Sequence, residues 1–167
     1  MVEAARFAAL QETLGAAAIA FTGREMTAAD FAMHSRSECT LHRWDIVGRD
    51  DVGWVMLAQP ELLRHALTVL TEMSSLTEAP ARRAGGRVPA GTRVVMRSAG
   101  EPDVVVTTTA GGGLDLVLVP PGDEDAHLEL DAAARLLTLW GRRDPSALIR
   151  RRAEGAERAL LDGLLAR

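Results

Sequence analysis

The chain predicts an α+β fold on three observations. Three helical stretches come first, with no strand pattern among them. A break rich in Pro, Gly and Arg follows. Four short alternating or β-branched runs with tight turns then lead into two closing helices. The order α-α-α, β-β-β-β, α-α divides the 167 residues into a helical part at 1–78, a linker at 79–91 and a sheet-plus-helix domain at 92–167.

In the first stretch, residues 3–20 are Ala-rich and place Phe7, Leu10, Leu14 and Ala17 at a helical period. Residues 21–26 read as a break. Thr27 is a natural N-cap, with Asp30 at the position of a capping-box partner. A helix is expected over 27–47, stopped by Gly48. Residues 49–53 read as a polar connection. A third helix is expected over 59–75, with Pro60 in its first turn and Leu62, Leu63, Ala66, Leu67, Leu70 and Met73 as its buried set.

Beyond residue 91 the period changes. Residues 92–98, 103–109, 114–119 and 127–130 read as strands, separated by Gly111-Gly112-Gly113 and by the acidic turn Pro120–Asp125. Their close spacing predicts an antiparallel meander. Asp131 caps a short helix ending at Trp140-Gly141. Asp144-Pro145 predicts the start of a last helix running to about residue 166.

Composition narrows the function. A net charge of −4 argues against nucleic acid as the main partner. All 19 basic residues are arginine, a skew that fits a GC-rich genome better than a functional choice. The single cysteine allows no internal disulfide and fits a reducing compartment. No apolar run approaches the ~20 residues of a membrane span, and the N-terminus lacks the order of a signal peptide. A cytoplasmic protein that spans no membrane is expected.

The densest chemistry lies on the second helix. His34, Glu38 and His42 follow one another at four-residue intervals, and Asp45 comes three residues later. At about 100° per residue these four share one stripe. Met33, Leu41 and Trp44 flank it on one side, and Ala32, Cys39, Ile46 and Val47 on the other. Such flanks predict a stripe that points into a cleft or a bundle centre. Glu38 and His42 suit one metal ion, whereas adding His34 spreads three ligands over about 12 Å of one helix. His34 therefore reads better as a surface histidine. Asp45 either orients His42 or pairs with Arg43 or Arg49. Cys39 is expected to be buried and inert, and His65 to be exposed on the third helix. His127 reads as outward-facing beside Glu129. Arg150-Arg151-Arg152 reads as a solvated helix face.

The run Glu38-Cys39-Thr40-Leu41-His42-Arg43-Trp44-Asp45 resembles the E-x-x-x-H-R-x-D signature of the mycothiol-dependent maleylpyruvate isomerase family, itself similar to DinB-like metal-binding proteins. The later Leu139-Trp140-Gly141-Arg142-Arg143 resembles that family's C-terminal domain, which is similar in fold to sterol carrier protein 2. The resemblance implies a divalent metal, usually zinc, held on a helical bundle. Glu38 and His42 match two of its three ligands, and Asp45 matches the acidic residue after them. It implies thiol-cofactor chemistry with mycothiol. It also gives Arg142 a catalytic role, holding a carboxylate of substrate or thiol cofactor. In that family about two helices and the first ligand histidine precede the motif, whereas here His34 is the first histidine.

Two functional expectations follow. One is a truncated relative of this family, a partial DinB-like bundle followed by a sterol-carrier-like domain, with an incomplete metal site. An open apolar face on the helices then predicts a homodimer. The other is a non-enzymatic carrier that binds a hydrophobic small molecule in the sterol-carrier-like domain.

Overall fold

The computed structural model describes residues 17–21, 24–72, 88–142 and 150–165, together with positions 5, 6, 9 and 13. The α+β class holds: helices come first, then a sheet, then further helices. The four early positions are helical, and the rest of the first expected helix up to residue 16 lies outside the described residues. Its C-terminal end is not helical. Ile19–Phe21 forms β1, paired antiparallel with β2 at Arg24–Met26, so the expected break at 21–26 is part of a hairpin. Ile19 and Phe21 are residue types that suit an extended chain, which a helical count over the Ala-rich stretch does not register.

Helix α1 spans Ala28–Val47. The Thr27 hydroxyl accepts from the Asp30 backbone N–H at 3.1 Å, and the Asp30 carboxylate accepts from the Thr27 N–H at 3.3 Å. This reciprocal capping box satisfies donors that a helix start leaves open. Gly48, at φ 74°, ends the helix. The next residues are not a plain connection. Asp50 accepts from the Gly53 N–H at 2.6 Å and opens a short helix, α2, over Asp51–Leu57. Helix α3 follows at Pro60–Glu72.

The sheet is built from β3 (Arg93–Arg97), β4 (Asp103–Thr108), β5 (Leu114–Val119), β6 (Leu128–Glu129) and β7 (Arg150–Arg151). Its order is β5-β4-β3-β6-β7. The expected meander holds for β3, β4 and β5 only. β6 lies parallel to β3 on the opposite side from β4. The acidic turn makes this crossover by passing over one face of the sheet. Arg93 grips Glu124 with two bonds of 2.7 and 2.8 Å, and Arg97 donates to the Gly122 carbonyl at 2.9 Å. Ala126 is buried against Val95 and Val105 on that same face. The acidic residues therefore strap the sheet. Arg93 holds the Glu124 carboxyl below its usual range, chiefly by hydrogen bonding.

The expected last helix is also interrupted. Arg150–Arg151 pairs antiparallel with β6 instead of lying on a solvated helix face, and α5 begins only at Gly155, ending at Leu165. The proposed Asp144-Pro145 cap lies outside the described residues. Between them, α4 spans Ala132–Leu139, capped by Asp131 as expected.

Helix α3 sits at the centre. Leu63, Leu67 and Leu70 pack on Val94, Met96, Val104 and Val106 of the sheet, with Leu160 and Leu161 of α5 in the same core. One stripe around the helix, Leu62 and Ala66 join Leu41, Leu57, Leu136 and Leu137 in a second core. Burying each such side chain contributes about 1.5–3 kcal/mol. The remaining face of α3 carries Glu61, Arg64 and Thr68 into solvent.

Candidate functional site

The stripe of α1 does not act as one unit. The helix buries Ser37, Thr40 and Leu41 along with His34. The opposite flank is open: Ile46 is 84% and Val47 54% exposed, and Cys39 is an exposed thiol. The stripe therefore runs along the border between buried and open faces. It does not point into an interior between two apolar flanks. One packed flank is enough to anchor the helix, which explains how Cys39, expected inside, comes to lie outside.

At the C-terminal end of the stripe the motif residues come together. The His42 Nε2 atom lies 3.5 Å from Glu38 Oε2, and Nδ1 lies 3.2 Å from Asp45 Oδ2. Asp45 in turn receives a two-pronged contact from Arg142, with Nε to Oδ1 at 2.7 Å and Nη2 to Oδ2 at 2.6 Å. The result is a chain of contacts Glu38–His42–Asp45–Arg142. Arg43 takes Asp50 at 2.6 Å.

The aim of Arg142 comes from local backbone geometry. Gly141 adopts φ 69° after α4. Its N–H bonds the Thr138 carbonyl at 2.9 Å, and the Arg142 N–H bonds the Leu137 carbonyl at 2.7 Å. This is a Schellman ending, which needs the left-handed residue that glycine supplies at least cost. It turns Arg142 back toward α1, where its side chain is only 10% exposed. The fork ties residues 97 positions apart and joins the helical part to the sheet part. The structure thus brings Trp140-Gly141-Arg142 against the α1 motif. The carboxylate that Arg142 holds is the protein's own.

At the N-terminal end, His34 is buried, contrary to the surface position expected of it. Its Nδ1 lies 3.2 Å from Nε2 of His65 on α3. Phe21 of the hairpin packs edge-on against the His34 ring at a centroid distance of 5.1 Å. His65, expected to be exposed, is half-buried and lines a cleft of about 500 Å³ between β2, the start of α1 and α3. That cleft also carries Glu25, Asp30, Glu61, Arg64 and Glu72. A second hollow of about 460 Å³ continues along α3 past Leu67 to Leu116 and Leu118 of β5. Arg64, Thr68 and Glu72 line both, so the two form one groove, polar at the hairpin end and more apolar at the β5 end.

No sequence motif marked this groove. The only local trace was the mixed face of α3, where Glu61 and His65 stand one turn apart. His127, expected to face outward, instead lies just before β6 and accepts a hydrogen bond at Nδ1 from the Val95 N–H at 3.1 Å. Among the described residues, no group of three or more His, Cys, Asp and Glu side chains stands ready to hold a metal ion. Among them, too, no helix is long and apolar enough to cross a membrane.

No protein-family model matches the chain, and neither a curated protein nor a solved structure matches it.

Proposed function

We propose that this chain is a non-catalytic relative of the mycothiol-dependent maleylpyruvate isomerases that binds a small amphipathic molecule along α3. The observation that carries the reading is the continuous groove. Its two hollows each fall within the size of ordinary ligand pockets, roughly 300–1,000 Å³. Its polar end sets Glu25, Asp30, Glu61 and Glu72 against the single guanidinium of Arg64. That balance favours a cationic head group. The apolar end, with Leu67, Leu116 and Leu118, suits a hydrocarbon or aromatic tail.

The engagement of Arg142 with Asp45 supports a non-catalytic role for the motif. An arginine already holding an internal carboxylate is poorly placed to hold one from a substrate. Glu38 and His42 provide two metal ligands where catalytic zinc sites use three and a water. In this reading the motif survives as the fastening between the two parts of the chain.

Calorimetric titration of the full chain with octylamine and with octanoate tests the proposal. Saturable 1:1 binding of the amine, weak or no binding of the acid, and loss of amine binding in Thr68→Trp are expected. Equal binding of both amphiphiles, or an unchanged isotherm in Thr68→Trp, overturns it.

A further inference from the structure

We infer that the outer edge of β5 binds an extended peptide segment of a partner protein, with apolar side chains at every second residue and a basic residue between them. β5 ends the sheet order β5-β4-β3-β6-β7, and among the described residues it pairs with β4 alone. In an antiparallel pair, residues whose N–H and C=O groups bond the neighbouring strand alternate with residues whose groups point away from it. The Thr109 N–H bonds the Gly113 carbonyl at 2.9 Å, so these two form a bonded pair. In steps of two along the register, Thr107–Asp115, Val105–Val117 and Asp103–Val119 are bonded pairs as well. Thr108 agrees with this phase: its N–H turns the other way, to the Thr92 carbonyl at 3.0 Å. Leu114, Leu116 and Leu118 therefore aim their backbone groups at the open edge.

What lies beside that edge decides the occupant. Leu114 and Leu116 are buried in the core with Leu67 and Leu70 of α3. Leu116 and Leu118 also line the hollow of about 460 Å³ whose other wall is Leu67, Thr68, Thr71 and Glu72 of α3. A strand added to β5 lies about 4.8 Å from it. Its side chains on the α3 side enter this hollow, and those on the other side stand beside Asp115 and Val117, which are exposed. Asp115 is the one charge in Leu114–Val119, and it favours a basic residue across from it. Edge strands are usually guarded by several charges, a proline or a bulge. β5 contains no proline, and its register with β4 runs without a bulge.

A second copy of the chain fits this edge less well. Its own β5 already spends Leu114 and Leu116 in its own core, so joining two β5 edges leaves the hollow unfilled. A short extended peptide completes the ladder and fills the hollow together, main-chain bonds giving affinity and the pocket giving specificity. Amphiphile binding depends on the hollow, whereas peptide binding depends on the backbone edge beside it, so either stands without the other.

The test titrates the full chain into a peptide Thr-Val-Arg-Val-Thr-Val, labelled with fluorescein at its N-terminus and amidated at its C-terminus, and follows anisotropy. Saturable 1:1 binding is expected. Two further peptides carry methyl groups on alternate backbone nitrogens, one on the valines and one on the remaining residues. One set removes the donors that face β5 and should weaken binding by about tenfold or more, while the other stays near the parent peptide. Asp115→Arg should weaken binding several-fold. Leu118→Pro, which removes one outward N–H at a strand edge that tolerates proline, should do the same. Asp115 is exposed, so Asp115→Arg serves even where Leu118→Pro disturbs folding, and circular dichroism reports the fold of each variant. Hydrogen exchange at the Leu114, Leu116 and Leu118 amides should be fast in the chain alone and slow with peptide. Absence of peptide binding overturns the inference. So does equal binding of both methylated peptides, or an affinity unchanged in both variants. Slow exchange at the three amides before peptide is added also overturns it, and where sedimentation then finds a dimer, the edge belongs to a second copy.

Discussion

The two ends of α1 carry the same residue in opposite settings. His34 is 8% exposed, whereas the side chain of His42, two turns on, is 62% exposed. His34 touches a phenylalanine and a second histidine and lies across the helix–hairpin seam. His42 touches two carboxylates of its own helix, one of which is anchored by Arg142. The difference follows from the angle each residue makes with the packed face, which is centred between Ser37 and Leu41. His34 lies near that face, and His42 is rotated about 80° further round. A motif match favours His42, whereas packing favours His34. Chemistry that needs fixed geometry belongs with the packed residue, because an exposed side chain must give up rotamer freedom each time it acts.

Truncating the two histidines separates these settings most sharply. His34→Ala removes a buried ring and leaves a cavity against Phe21 and His65. Its expected cost is about 2–3 kcal/mol, somewhat below that of a buried phenylalanine. His42→Ala takes away only an exposed ring and should stay within about 0.5 kcal/mol of the parent. Urea denaturation of both variants measures the contrast. Equal midpoints would mean that the seam between hairpin, α1 and α3 contributes little.

Asp45→Ala should fall between them. It strips the carboxylate from an arginine that is only 10% exposed, leaving a largely enclosed guanidinium without its partner. A fully buried pair broken in this way costs about 3–5 kcal/mol, and an exposed one under about 1 kcal/mol. Asp45 is itself 32% exposed, so screening by water places the expected loss at about 1–2 kcal/mol. If the fork fastens the helical part to the sheet part, Asp45→Ala should also speed amide exchange in both α1 and the end of α4. Faster exchange confined to α1 would show that the fork serves that helix alone.

Local signals made much of this readable in the chain. Thr27, Asp30 and Gly48 fixed the limits of α1, because caps are written in a few residues. Alternation and Gly/Pro turns located β3 to β5 closely. Strand order was not readable from the turns, since the crossover of β6 depends on arginines gripping the acidic turn across the sheet. A clue lay in Val94, Val95 and Met96, three apolar residues in succession that are buried on both faces of β3. Such a run marks an interior strand, which a simple meander with β3 at its edge does not provide. Helix α2, at seven residues, was too short to show a period. For the site, spacing showed that Glu38, His42 and Asp45 share a stripe, whereas Arg142 was named only through the resemblance of the Trp140-Gly141-Arg142 run to a family's C-terminal domain. The His34–His65 contact joins residues 31 positions apart, and nothing local in either helix encodes it.

The open end of α1 offers one last and smaller contrast, in acid. Asp50 accepts from the Gly53 N–H at the start of α2 and from Arg43 of α1. The backbone hydrogen bond from Gly53, followed by the charge of Arg43, holds its carboxyl below the ordinary value of 3.8. A carboxylate whose folded pKa is depressed contributes stability fully above its unfolded pKa. That contribution is lost as pH falls through the lowered folded value. Parent protein should therefore exceed Asp50→Asn in urea midpoint at about pH 6, and the gap should close on acidification below about pH 3.8. A gap between parent and Asp50→Asn that stays constant through acid would show that the charge of Asp50 is idle, and that the amide of asparagine caps α2 equally well.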